Sequence, residues 1–81
     1  MIKVQGQGIV VGNPLVLPSE KEGDILVRYN KRELITLYSD TFKIILGIES
    51  LRSGDKIKFS GTLEKLSLDN IGIRLTYISK L

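Results

Sequence analysis

Ser53-Gly54-Asp55-Lys56-Ile57-Lys58-Phe59-Ser60-Gly61-Thr62-Leu63 is the stretch that decides the fold. From Lys56 onward Ile57, Phe59 and Leu63 fall on one face, and Lys56, Lys58, Ser60 and Thr62 on the other. A period of two marks a strand with one buried and one wet side, because successive side chains of extended backbone point in opposite directions. The turn ahead of it supplies a glycine, which takes positive φ freely, and an aspartate that can accept from nearby backbone amides. Closer to the C-terminus Ile71, Ile73, Leu75 and Tyr77 alternate with Gly72, Arg74 and Thr76. This second strand follows a turn region at Ser67-Leu68-Asp69-Asn70, and its phase makes Tyr77 a core residue.

Working toward the N-terminus, Asp24-Ile25-Leu26-Val27-Arg28-Tyr29 and Glu33-Leu34-Ile35-Thr36-Leu37-Tyr38 read as a hairpin about Asn30-Lys31-Arg32. Tyr29 shares its phase with Ile25 and Val27 and is expected inside. Residues 39–51 admit two readings. Ser39 or Asp40 could cap a helix carrying Phe42, Ile45, Leu46 and Leu51, although Gly47 weakens its interior. Alternatively Phe42, Ile44 and Leu46 alternate as a strand, and the isoleucines favour that state over 41–47, with a helical turn at 48–52.

The first strand is expected to be bent. Ile2 and Val4 hold the even phase, Gly6-Gln7-Gly8 intervenes, and Ile9 and Val11 resume in the odd phase. A slip of one residue reverses every side chain, and glycines at the slip point to a bulge that lets one strand serve both layers of a barrel. Two short strands about a glycine turn are the plainer alternative. Asn13-Pro14 is expected to end this strand, leaving the apolar patch Leu15-Val16-Leu17 and a polar connection over 18–23.

Eighty-one residues make one domain, 1–81, since two cores cannot be built from so short a chain. There is no cysteine and no histidine, which removes disulfides, thiolate metal sites, thiol nucleophiles and the commonest general base together. Asp24, Asp40, Asp55 and Asp69 sit in turn contexts that account for them without catalysis or a metal-loop spacing. No enzyme, cofactor or metal is expected. Neither a signal-peptide core nor a run of roughly 18 apolar residues occurs, so the expectation is a cytoplasmic protein with no membrane partner. Twelve Lys and Arg against nine Asp and Glu give +3, a balance that permits an anionic partner without requiring one.

Five to six short strands, one helical turn at most and a bent first strand imply an all-β, small closed barrel. The run from Ile48 through Gly54-Asp55 to Leu63 resembles a recurrent phrase of OB-fold proteins, in which an apolar turn leads through Gly-Asp into the fourth strand. SH3-like barrels share it. Gly6 and Gly8 stand where that family bends its first strand, and residues 71–78 where it closes the barrel; the size is similar to that of small single-strand-binding or replication protein A-like OB subunits. The resemblance implies single-strand binding across the second and third strands, framed by the first-to-second and fourth-to-fifth loops.

On that pattern Arg28, Thr36 and Tyr38 point outward beside Lys31 and Arg32, and Lys56, Lys58 and Arg74 extend the basic surface from the fourth and fifth strands. Each residue has a plainer role as a solvated charge or rim residue. The two framing loops are slightly acidic and carry no aromatic residue, and the chain has only three Tyr and two Phe, so a strand would be held weakly. The competing expectation is a protein partner or homodimer seated on Leu15, Leu17, Leu26 and Leu34, if the alternation leaves these leucines outside.

Overall fold

The computed structural model describes residues 2–17, 21–30, 33–65 and 71–81. In chain order they form β1 (Ile2–Leu17), β2 (Glu22–Arg28), β3 (Leu34–Ser39), α1 (Phe42–Glu49), β4 (Lys56–Lys65) and β5 (Ile71–Lys80). The strands close a barrel in the order β1-β2-β3-β5-β4. Neighbours are antiparallel except β3 and β5, which run parallel through Thr36↔Gly72, Leu37↔Ile73 and Tyr38↔Arg74. The expected turn at 67–70 and the loop cations Lys31 and Arg32 lie outside the described residues.

β1 belongs to both walls of the barrel. Ile2 to Ile9 pair with β4, Ile9 to Leu17 pair with β2, and Ile9 lies opposite both Lys56 and Arg28. Just beyond this handover the Gly54-Asp55 turn is tied to β1. The Val10 amide donates to the Asp55 carbonyl at 2.9 Å, and the Gly54 amide donates to the Val10 carbonyl at 2.8 Å. Gly54 adopts φ +95°, which a side chain would resist. The Arg52 amide donates to Asp55 Oδ2 at 2.9 Å, and Lys80 Nζ lies 3.4 Å from Oδ1. Those contacts, the Arg52 amide first, hold the Asp55 carboxyl below its usual range.

Ile25, Val27, Leu37, Ile48, Ile57, Phe59, Ile73, Leu75 and Val10 form the core, with α1 closing one end of the barrel. Full burial of each such side chain is worth about 1.5–3 kcal/mol before the entropy of ordering it.

Four expectations need correction. β1 does not reverse phase at Gly6-Gln7-Gly8: Val4, Gly6, Gly8 and Val10 share the inner face, and Ile9 is exposed. Gly8 is required by space, since a Cβ there would lie 2.3 Å from Val27 Cγ1 and 2.9 Å from the Arg28 carbonyl oxygen. Nor does β1 end at Asn13-Pro14. Gly12 at φ +78° opens a bulge between Val11 and Leu15, Pro14 sits within it, and the strand resumes against β2 as far as Leu17. A bulge is where a strand tolerates proline, because no ladder donor is needed there.

Residues 42–49 are helical rather than extended. Ile45, Ile48 and Leu51 point into the barrel at three-residue spacing, and burial of that stripe outweighs the β preference of isoleucine. Ser39 Oγ accepts from the Thr41 amide at 2.9 Å just ahead of the first turn. Finally, Tyr29 and Tyr77 are not core; they are 47% and 49% exposed. Tyr29 lies past the end of β2, whereas Tyr77 is turned out by a bulge. Ser60 pairs with Tyr77 and Gly61 with Leu75, so Thr76 is an extra residue that reverses the phase and sends Ile78 inward.

Two Gly→Ala substitutions should therefore part company. A Cβ on Gly61 would meet the Arg74 carbonyl oxygen at 2.2 Å, with backbone that cannot yield, so Gly61→Ala should cost about 3 kcal/mol. That corresponds to a melting point lower by roughly 4–8 °C per kcal/mol. On Gly47 a Cβ would meet only Ile78 Cγ2 at 3.3 Å, and a helix interior favours alanine by about 1 kcal/mol. Gly47→Ala should leave the thermal midpoint unchanged or raise it, as calorimetry of the two variants would reveal.

Candidate nucleic-acid interface

The hairpin β2–β3 presents its outer face as three cross-strand pairs: Arg28 with Leu34, Leu26 with Thr36, and Asp24 with Tyr38. The alternation places Ile25, Val27 and Leu37 inside, and Arg28, Leu26, Leu34, Thr36 and Tyr38 outside, as the sequence pattern requires. Arg28 and Tyr38 do not form one cluster, however. They lie at opposite ends of the hairpin, four residues apart along the strand, or about 13 Å. Partial burial beside Tyr38 pushes the Asp24 carboxyl above its usual range.

Tyr38 belongs to a self-contained network. Its hydroxyl donates to a Glu64 carboxylate oxygen. Arg74 donates from Nε to Glu64 and from Nη1 to Asp40, both at 3.0 Å, and its guanidinium carbon lies 5.4 Å from the centroid of the Tyr38 ring. Parallel pairing of β3 and β5 brings these residues together by setting Tyr38 opposite Arg74. Burial, followed by the Glu64 bond, raises the Tyr38 hydroxyl pKa, and the two carboxylates raise that of Arg74. One cation here faces two carboxylates, and one face of the ring is already occupied.

The remaining predicted cations sit elsewhere and are differently placed. Arg28 and Lys56 flank Ile9 on either side of β1, and Lys58 lies one step along β4 opposite Gln7. Lys3 continues the band opposite Thr62. All four are exposed, and none forms an ion pair among the described residues. Gln5, Gln7, Ser60 and Thr62 separate them on the same wall, and Tyr77 stands outward next to Ser60. A groove of about 650 Å³ runs between Arg28 and Lys56, bordered by Gln7, Tyr29 and Asn30. The Tyr29 hydroxyl donates to Glu33, which fixes the ring at the lip and raises its pKa.

Sequence reasoning missed Tyr29, Gln7 and Lys3 as members of this surface. The detectable signal for Tyr29 was its position immediately ahead of the Asn30 turn, where strand phase no longer dictates burial. The four leucines expected to face a protein partner are exposed: Leu15 and Leu17 on β1, Leu26 on β2 and Leu34 on β3. Register puts all four on one wall, with Val11 beside Leu26. Among the described residues no group of three potential metal ligands occurs, and no helix is long and apolar enough to cross a membrane.

The Glu64 network has a measurable signature. Hydrogen bonding from Tyr38 and then Arg74 keeps the Glu64 carboxyl below its ordinary value of 4.5. A carboxyl whose folded pKa is depressed stabilises the fold fully above its unfolded value, and that stability is lost as pH falls through the folded value. Glu64→Gln should lower stability at about pH 7 and make its decline towards about pH 3 shallower than in the wild type. Urea unfolding followed across this range measures both; an unchanged acid slope would exclude the network as a source of stability.

No protein-family model and no curated protein matches the chain. Solved structures do. The chain is similar to one from the Stn1-Ten1 complex of S. pombe, with a TM-score of 0.83 at 12% identity, over 98% of this chain and 57% of that one. It is similar to the small single-stranded DNA-binding protein of Streptomyces coelicolor, at 0.80 and 15%, over 99% and 92% of the two chains. The SSB domain of a Synechococcus protein matches at 0.80 and 14%, over 96% and 93%. The chain thus spans a little over half of the first neighbour and nearly all of the other two. Strand order, the helix between β3 and β4 and these superpositions together establish the OB fold.

Proposed function

We propose that this chain is a nucleic-acid-binding OB module that holds single strands weakly and with little sequence preference, alone or as an accessory subunit, and that it is not an enzyme. The observation that carries the proposal is the band Arg28, Lys56, Lys58 and Lys3, whose charges form no ion pair among the described residues. Such cations bind phosphate by releasing condensed counterions, and they read no sequence. Gln5, Gln7 and Ser60 offer hydrogen bonds between them, and the exposed rings of Tyr29 and Tyr77 offer platforms on which bases stack. That two of the neighbours described are single-stranded DNA-binding proteins supports the same reading. Tyr38 and Arg74 contribute less, because Asp40 and Glu64 already engage them.

Titration of a fluorescently labelled single strand at two salt concentrations tests this. Each phosphate contact contributes about −0.7 to the slope of log K against log salt. Arg28→Glu combined with Lys56→Glu should flatten the slope by about 1.4 and weaken binding at low salt. Lys43→Glu, on α1 and away from the band, should change it little. Absence of wild-type binding at low salt would reject the proposal.

One observation favours a second reading. Leu15, Leu17, Leu26 and Leu34 form an exposed apolar wall next to the cationic band, and such walls are where small domains associate. The S. pombe neighbour comes from a two-protein complex. If this wall joins two copies, sedimentation equilibrium should show concentration-dependent dimers that Leu26→Glu with Leu34→Glu abolishes. A wild-type chain that stays monomeric throughout would exclude the homodimer.

A further inference from the structure

The end of the barrel opposite α1 is open. A cavity of about 420 Å³ enters it between Val4, Ile35, Phe59, Leu63 and Ile73. All of these carbon side chains come from the barrel's inner surface, and Phe59 and Ile73 are otherwise buried. The rim is polar, with Gln5, Gln7 and the Tyr29 ring around it. Gln7 and Tyr29 also border the groove between Arg28 and Lys56, so the apolar mouth and the cationic groove meet at a common lip.

Gly6 bears on why the mouth is open. Its φ is not positive, and a Cβ built on it would touch the Phe59 ring at 3.4 Å, an ordinary contact. Neither backbone conformation nor crowding demands glycine at this position, in contrast to Gly8 one pair further on. The missing side chain instead leaves the space in front of Phe59 empty. An apolar recess of this size lies within the range of small-ligand pockets, which are mostly apolar with a few polar groups fixing orientation.

We propose that this mouth receives one unstacked base of a nucleic-acid strand whose phosphates lie on Arg28 and Lys56. A flat apolar ring fits walls built from Phe59 and branched aliphatic chains, and Gln5 and Gln7 at the rim carry hydrogen-bonding groups suited to the edges of a base. The adjoining positive groove selects a polyanion over an apolar peptide as the occupant. The inference rests on the single-strand reading above and adds to it a defined site for a base, distinct from stacking on the outer wall.

The test compares an oligothymidylate with an abasic strand of equal length, both labelled, on the wild-type chain and on Gly6→Val, Ile35→Phe and Tyr29→Ala. The first two variants fill the mouth; the third removes its lip and, lying outside the strands, leaves the core intact. Wild type should bind the strand with bases about tenfold more tightly than the abasic one. In each folded variant, confirmed by melting, that ratio should fall several-fold, stacking on Tyr77 keeping it above one, while abasic affinity and salt slope persist. Equal wild-type affinity for both strands would overturn the base site and leave phosphate binding standing, as would a ratio that survives undiminished in all folded variants. Failure of the wild type to bind either strand at low salt would remove the functional reading and the base site together.

Discussion

The structure depends on a single strand being shared between two walls. β1 surrenders β4 and takes up β2 at Ile9, and the amide and carbonyl of Val10 are fixed by Asp55 and Gly54. Without that tie the barrel would be two open sheets with unpaired edges, which small all-β chains cannot leave exposed without inviting association. Closure also explains the functional geometry. Arg28 and Lys56 come from strands far apart in sequence, and they become neighbours only because both pair with Ile9.

Much of this could be read from the residues because the informative positions obey local rules. Gly54-Asp55 needs a positive φ and a carboxylate that accepts from amides, and both requirements are met as the sequence suggests. The β2–β3 alternation sorted Leu26, Arg28, Thr36 and Tyr38 to the outside without error. Failures came where tertiary contacts override local preference. Residues 42–49 carry isoleucines that suit a strand, yet Ile45 and Ile48 are worth more plugging the barrel end than pairing in a sheet. Tyr77 was misplaced because one inserted residue, Thr76, is invisible in a pattern that otherwise alternates cleanly. Gly6 and Gly8 are expected to mark a bulge at a slip of phase, but they sit in unbroken register and what they provide is interior room.

The candidate surface was legible in residue type and not in grouping. Six described cations and polar residues from different strands were each expected outside, but pairing register decides which share a wall. Register sets Arg28, Lys56 and Lys58 about Ile9, ties Tyr38 and Arg74 to Glu64, and leaves Thr36 apart between Leu26 and Gly72. A net charge of +3 conceals that partition. Asp40, just past β3, and Glu64, near the end of β4, gather about Arg74 and leave the part of β1 and β4 around Ile9 positive, so the local field there exceeds what the sum implies.

The parallel seam between β3 and β5 carries a consequence for how the chain comes to be folded. Its three residue pairs join segments more than thirty residues apart, and no hairpin turn helps to bring them together. During synthesis the β1–β2–β3 meander can form as soon as it emerges, but β3 then waits with a bare edge until β5 has left the ribosome. Topologies completed by such distant pairings fold slowly. In that interval the unpaired flank of β3, like the edge of β1 that awaits β4, is open to another molecule's backbone, and Tyr38 and Ser39 lie at the end of β3.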